Sequence, residues 1–211
     1  MISISYCLTV CDETEEFKKL IDFLIKNIRD KDEICILVDE PKCPTELKEK
    51  ILDLPLNPNI QTKNLKIKFD KFEGHFADWK NKLFDIASKE YLFFIDADEM
   101  IEKSLIEELP GILENNKIDV LGIARKNTVE GLTQEWIDKW RWNVNEDGLI
   151  NWPDVQLRII SNKKDIKWQN RVHEIPSNYR TISVLPGEDY FIMHHKKLDK
   201  QIKQNELYST L

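Results

Sequence analysis

Over its first hundred residues the chain alternates β-rich apolar runs with segments of helical periodicity, the pattern of a parallel sheet with helices on its faces. Residues 2–10 are β-rich. Asp12 then stands where it would cap a helix over 13–29, in which Phe17, Leu20, Ile21, Phe23, Leu24 and Ile28 recur at helical spacing. Residues 34–38 read as a second strand, and Pro44 opens a second helix running to about 54, before a loop built on Pro55, Asn57 and Pro58. A third strand over 65–69, a third helix over 76–88 and a fourth strand over 91–95 complete the alternation. Three of these strands finish beside acids: Val10 precedes Cys11 and Asp12, Val38 precedes Asp39, and Ile95 precedes Asp96. Open α/β sheets bind ligands at the carboxyl ends of their strands, so the shared ending marks where a site should lie.

Beyond Gly111 the strict alternation stops. A strand over 118–125 is followed by a stretch holding Trp136, Trp140, Trp142 and Trp152, an alternating strand over 154–160, and a final helix over 199–209. No linker, internal repeat or low-complexity segment interrupts the 211 residues, so one domain is expected, its second half a mixture of β and loop that completes the first. The spacing of Trp136, Trp140 and Trp142 fits no single helix face, which predicts some buried and at least one in the cleft, where an indole can stack on the apolar face of a sugar.

The run Tyr91-Leu-Phe-Phe-Ile95 ends abruptly in Asp96, Asp98 and Glu99. Hard cations such as Mg2+ and Mn2+ take oxygen ligands, and magnesium shares one or two carboxylates with substrate phosphates. Residues two apart on an extended strand face the same way, so Asp96 and Asp98 are expected to face one ligand and Glu99 to point elsewhere. Read in isolation, the same acids also fit a solvated turn. The chain has neither G-x-G-x-x-G nor G-x-x-x-x-G-K-[ST], which removes the dinucleotide fingerprint and the P-loop and leaves phosphates to be held by metal.

Composition excludes several classes. A net charge of −7 argues against a broad nucleic-acid surface. No apolar run reaches the ~18 residues of a membrane span, and the first ten residues read as a strand rather than a secretory signal, so a cytoplasmic location in the producing or host cell is expected. Cys7, Cys11, Cys35 and Cys43 show no paired zinc spacing and are expected as free thiols. Lys196, Lys197, Lys200 and Lys203 are expected to form a solvated helix face.

In order along the chain, Thr9-Val-Cys-Asp-Glu13, Ile36-Leu-Val-Asp39, Phe76-Ala-Asp-Trp-Lys80-Asn81, Phe94-Ile-Asp96-Ala-Asp98-Glu99, Pro153-Asp154-Val-Gln156-Leu-Arg158, Val172-His173-Glu174 and His194 resemble glycosyltransferase family 2. The likeness is greatest to its small members related to lipopolysaccharide core glucosyltransferases and viral glycosyltransferases. It implies a GT-A fold: α/β, a Rossmann-like mixed sheet, mostly parallel, flanked by helices in a single domain 1–211. Residues 1–100 would be the nucleotide-sugar-binding half and 101–211 the acceptor and catalytic half.

The resemblance also implies a chemistry. It is the metal-dependent, inverting transfer of a hexose from a nucleotide-diphospho-sugar, a UDP-sugar such as UDP-glucose, to a hydroxyl of a glycan or glycoconjugate, with Mn2+ or Mg2+ as cofactor. By the same resemblance Thr9 and Glu13 approach the nucleotide, and Asp39 bonds the base. Lys80 stands near ribose and phosphates in place of the more usual arginine, keeping the charge without the planar fork. Asp96 contacts ribose or donor sugar, Asp98 binds the metal, and His194 completes the metal or diphosphate site, where neutral imidazole suits Mn2+ better than Mg2+. Arg158 pairs with a carboxylate or the diphosphate. Asp154 takes the position of the base that removes the acceptor proton, with Glu174 the next candidate. Trp152, His173 and Glu174 fall on the acceptor side. Any membrane association would come from other parts of a longer protein. Two rival readings are a sugar-phosphate nucleotidyltransferase, whose glycine-rich first loop has no counterpart between Cys7 and Thr14, and a non-catalytic sugar-binding module.

Overall fold

The computed structural model describes residues 2–58, 60 and 64–210, without the side chains of 209 and 210. Four parallel strands, β1 (Ile4–Val10), β2 (Glu33–Asp39), β3 (Leu65–Asp70) and β4 (Tyr91–Asp96), lie in the order β3-β2-β1-β4. The crossovers are α1 (Thr14–Asn27), α2 (Thr45–Asp53) and α3 (Phe76–Ile86). Period-2 alternation explains why both faces need cover. Tyr6, Leu8, Ile36, Phe93 and Ile95 pack on one face with Phe17 and Leu20 of α1 and Leu47 of α2, while Cys7, Leu37, Leu92 and Phe94 pack on the other with Trp79 and Leu83 of α3. Each large apolar side chain fully buried this way contributes roughly 1.5–3 kcal/mol.

The second half extends the same sheet. After a three-residue strand β5 (Glu99–Ile101) and α4 (Lys103–Asn116) come β6 (Val120–Glu130), α5 (Gln134–Trp140) and β7 (Ile150–Ser161). A small ladder of β8 (Lys167–Gln169) and β9 (Ile175–Ser177) stands apart, and β10 (Ile182–Val184), β11 (Phe191–Lys197) and α6 (Leu198–Thr210) end the chain. The sheet order is β3-β2-β1-β4-β7-β6-β11-β5, with β10 also on β6. β7 runs antiparallel between β4 and β6, which makes the sheet mixed.

Several local expectations are corrected. The first helix starts at Thr14 with Glu13 at its N-cap, and the Asp12 side chain does not cap it: its backbone carbonyl accepts from Thr14 N at 3.0 Å. β5 and α4 lie where no element was expected. α4 holds Pro110 and Gly111, which disguise it, yet Leu105, Ile106, Leu109 and Leu113 bury one face, so packing overrides propensity. The expected loop at Pro55 begins as a 3-10 turn over Leu54–Leu56.

Candidate active site

The parallel strands end on one edge, with Thr9 beside Asp96 and Asp39 beside Asp70. β4 and β7 pair only from Tyr91 to Phe93, opposite Ser161 to Ile159. Past that point side chains, not backbone, connect the two strands. The Arg158 guanidinium donates through Nη2 to Asp96 Oδ2 at 2.8 Å and to Glu99 Oε1 at 2.6 Å, and Arg125 Nη1 reaches the same Glu99 oxygen at 3.2 Å. Glu99 therefore does not point away as expected. It is 2% exposed and also accepts from Asp96 N at 3.0 Å, because a buried carboxylate must be surrounded by donors.

Asp96 and Asp98 do not face one partner either. Asp98 lies in the turn after β4, where period-2 alternation no longer applies. Asp96 accepts from the Thr9 hydroxyl at 3.1 Å and lies 3.9 Å from Lys80 Nζ; burial would raise its pKa, but the charges of Arg158 and Lys80 hold it well below the usual carboxylate range. Asp98 instead meets His194 Nε2 at 3.5 Å and Lys196 Nζ at 3.1 Å, and against the same desolvation these hold it well down. Lys196 is thus 8% exposed on β11, not on a solvated helix face, and its ammonium also donates to Gln204 Oε1 at 2.8 Å.

Strand pairing supplies the rest of this corner. β11 runs beside β6, bringing His194 level with Asn127. His194 Nδ1 and Asn127 Oδ1 are 2.7 Å apart, and Asn127 Nδ2 donates to Asp154 Oδ2 at 2.7 Å. Arg125 Nε at 3.0 Å and Nη2 at 2.9 Å reach that same oxygen, while Gln156 Nε2 donates to Oδ1 at 2.7 Å. Three hydrogen bonds, from Arg125 Nε, Asn127 Nδ2 and Gln156 Nε2, and the Arg125 Nη2 ion-pair contact thus hold the carboxylate, crowded on Oδ2 with a single donor on Oδ1. Burial raises the Asp154 pKa, but Arg125 and Asn127 bring the net shift below the ordinary value.

A cleft of about 300 Å3 opens beside this edge, lined by Lys80, Gln156, Arg158, Trp168, His173 and Glu174 among others. Asn170 (φ 79°) and His173 (φ 53°) both adopt left-handed backbone, and the chain turns there between β8 and β9. Glu174 accepts from Lys80 Nζ, which also lies 5.2 Å above the Trp168 ring. Burial would raise the Glu174 carboxyl, and Lys80 more than offsets it. Arg158 Nε and Nη1 and Trp168 Nε1 are buried without a hydrogen-bond partner, a costly arrangement concentrated in this wall. A larger groove of about 490 Å3 at Asp22, Ile25, Lys26 and Asn57 carries none of these groups.

The remaining expected residues are spread around the rim. Asp39 is 4% exposed, accepts from Phe72 N at 3.1 Å and lies 3.9 Å from Lys42 Nζ. Glu13 accepts from Cys11 N at 2.8 Å, and burial, with the charges of Asp98 and Asp12 nearby, pushes its carboxyl up to about 7. Tyr208 on α6 stacks near Phe76 at 5.6 Å and His173 at 6.1 Å, and its hydroxyl accepts from Gln204 at 3.0 Å. Trp152 packs away from Asp154. A Cβ at Gly187 would meet Ala124 at 3.0 Å and the Trp152 indole at 3.3 Å, on the face of β6 opposite Arg125. Trp136, Trp140 and Trp142 stack on one another at 4.7 and 4.5 Å near the surface rather than in the core.

Sequence reasoning missed Arg125, Asn127 and Lys196 as members of this cluster. For Arg125 a signal was present, since β6 is apolar from Val120 to Ala124 and then turns polar; the partners of Asn127 and Lys196 follow only from strand register and tertiary contact.

A carboxylate and an imidazole nitrogen 3.5 Å apart suit Mn2+, which needs few protein ligands when diphosphate oxygens and water supply the others. Among the described residues no cluster of three or more His, Cys, Asp or Glu side chains adds to that pair. Asp98 and His194 are the residues that would hold it, with the Lys196 ammonium a competing cation on Asp98.

The model of the family Glycosyl transferase family 2 matches residues 5–196. Two curated relatives, the SPbeta prophage-derived glycosyltransferase SunS of Bacillus subtilis and the glycosyltransferase SunS of Bacillus phage SPbeta, are each 24% identical over 119 residues. Each match takes in 55% of this chain and 24% of the relative. Among solved structures, S. aureus TarS 1-349 matches with a TM-score of 0.63 at 18% identity over 92% of this chain and 60% of that one. The same TarS fragment in complex with UDP-GlcNAc matches at a TM-score of 0.62, with 18% identity over 92% of this chain and 59% of that one. The chain therefore spans about a quarter of the curated relatives and about 60% of the TarS fragment, and shares its GT-A fold.

Proposed function

This chain belongs to glycosyl transferase family 2, and on that basis we propose that it transfers a hexose from a UDP-sugar, such as UDP-glucose, to a hydroxyl of a glycan or glycoconjugate. The observation that carries the reading is the convergence of Lys80, Arg158 and Glu174 on one cleft at the carboxyl edge of the sheet, with Asp96 paired to Lys80 and Arg158 and the Asp98–His194 pair just past the end of the same strand. Residues 1–100 bring Thr9, Glu13, Asp39, Lys80, Asp96 and Asp98 to the donor, and residues 101–211 bring the acceptor side and His194. Nucleotide sugars of the UDP type fit a cytoplasmic setting, and none of the helices among the described residues is long and apolar enough to cross a membrane.

In this reading Asp39 bonds the base and Thr9 and Glu13 line the nucleotide. Lys80 and Arg158 supply fixed positive charge toward the diphosphate and donor sugar, the preorganised arrangement that stabilises a departing anion. Mn2+ held by Asp98 and His194 would offset the charge that grows on the diphosphate. Inversion requires one carboxylate to take the acceptor proton while the oxygen attacks opposite the leaving group. We assign that role to Glu174 rather than Asp154. Glu174 lines the cleft with a single ammonium partner, whereas Asp154 already accepts three hydrogen bonds and pairs with the Arg125 guanidinium.

Release of UDP from a panel of UDP-sugars in Mn2+ tests the reading, with UDP-glucose and UDP-GlcNAc side by side. Neither binding nor release with any donor would sink it, and pyrophosphate formed from a nucleoside triphosphate and a sugar phosphate would favour a nucleotidyltransferase. Asp98→Ala is expected to abolish metal-dependent donor binding. Glu174→Gln should retain donor binding and lower turnover by about 10²–10⁴-fold; unchanged turnover would return the base to another carboxylate.

A further inference from the structure

We propose that Asn127 locks His194 in the tautomer with its proton on Nδ1 and its Nε2 turned to Asp98, and that Asp154 is the anchor that orients the Asn127 amide. The inference rests on the reading of Asp98 and His194 as the metal pair and adds two positioning residues to it.

The assignment follows from donor and acceptor capacity. An ionised carboxylate only accepts, so the Asn127 atom 2.7 Å from Asp154 Oδ2 is the NH2 group. That fixes the other end of the amide. The carbonyl oxygen of Asn127 faces His194 Nδ1 at 2.7 Å, and since it too only accepts, Nδ1 carries the hydrogen. Nε2 is then the ring nitrogen left for a metal, and it is the one 3.5 Å from Asp98 Oδ2. Asn127 and His194 are level across β6 and β11, so the contact is built into strand register rather than a loop. Behind it, Arg125, through Nε and Nη2, and Gln156 hold Asp154, which prevents the carboxylate from rotating away and freeing the amide to flip. The arrangement is a chain of fixed polarity, Asp154 to Asn127 to His194, ending at a nitrogen lone pair. Such partners behind a metal-binding histidine typically raise metal affinity 10–100-fold.

The role separates from a base at Asp154. A base acts on the acceptor, and its loss leaves metal affinity alone; an anchor acts through His194, and its loss weakens the metal while donor contacts at Asp96 remain. Nitrogen-15 spectra of the histidine rings, recorded without metal at pH 8, should show His194 with hydrogen on Nδ1 in the wild type. In Asn127→Ala the ring should lose that preference. Titration of Mn2+ in the presence of UDP, followed by the electron paramagnetic resonance of free Mn2+, should give a 10–100-fold weaker affinity for Asn127→Ala and for Asp154→Ala. A wild-type ring with its hydrogen on Nε2 would overturn the proposal without any variant, as would an Asn127→Ala protein with unchanged tautomer and unchanged Mn2+ affinity. Failure of the wild type to bind Mn2+ would instead sink the metal reading, and the ring spectra alone would then decide the role of Asn127.

Discussion

Glu33 illustrates what a carboxylate needs once it leaves water. Its side chain is 1% exposed, at the end of the sheet opposite the candidate site. Ser5 Oγ donates to it at 2.7 Å, Ser88 N and Oγ at 2.6 and 2.7 Å, and Lys66 Nζ lies at 3.0 Å. Burial raises the carboxyl, and these donors outweigh it, lowering the pKa from 4.5 to about 2. A pKa depressed in the folded state stabilises the fold above the unfolded value and ceases to do so as pH falls through the folded one. Glu33→Gln should therefore cost about 2 kcal/mol at pH 7, and the difference from wild type should shrink as pH falls from about 4.5 toward about 2. Urea denaturation of both proteins across that range measures it, and a difference independent of pH would contradict the charge-based account. Glu13, with only backbone donors and with Asp98 and Asp12 nearby, is the contrasting case: burial wins and its carboxyl rises to about 7.

Helix ends carry the next prediction. Lys117 closes α4 in left-handed backbone (φ 47°), and its N–H bonds Leu113 O at 3.1 Å. Glycine takes that conformation without a Cβ penalty, so Lys117→Gly is expected to raise stability by about 0.5–1 kcal/mol and Lys117→Val to lower it. Equal stability of the two variants in thermal melts would deny the strain. This same helix marks the limit of what the chain discloses by pattern. α1, β2 and β4 were legible because Phe17, Leu20 and Leu24 share one face and because Ile34 to Val38 and Tyr91 to Ile95 carry no interrupting polar residue. α4 was hidden by Pro110 and Gly111. β5, β8, β9 and β10 were hidden by length, since three residues cannot display a period. The site divides on the same line. Asp96, Asp98, Arg158, His194 and Glu174 stood inside recognisable stretches, whereas Asn127 acquires its meaning only from the register of β6 with β11, which no local pattern encodes.

At the scale of the molecule, the two halves share one sheet but lose backbone pairing where the site opens. β4 and β7 are joined for three rungs, and beyond them Arg158 spans the gap to Asp96 and Glu99, with Arg125 extending the ionic chain to Asp154. The charged groups that shape the cleft therefore also hold its walls at a fixed distance. Removing one buried member leaves its partners charged and unpaired, which typically costs 3–5 kcal/mol, while a surface pair of the same length contributes about 0–1 kcal/mol. Arg158→Met, which keeps the volume and loses the charge, is thus expected to destabilise the fold by about 3–5 kcal/mol. Lys103→Met, which removes an exposed pair with Glu107 at 2.7 Å, should cost less than about 1 kcal/mol. Because the sheet is continuous through β7, the Arg158 variant should still unfold in a single transition by fluorescence and by far-ultraviolet circular dichroism. Two separated transitions would mean that the ionic chain, and not the shared strands, is what makes the halves one cooperative unit.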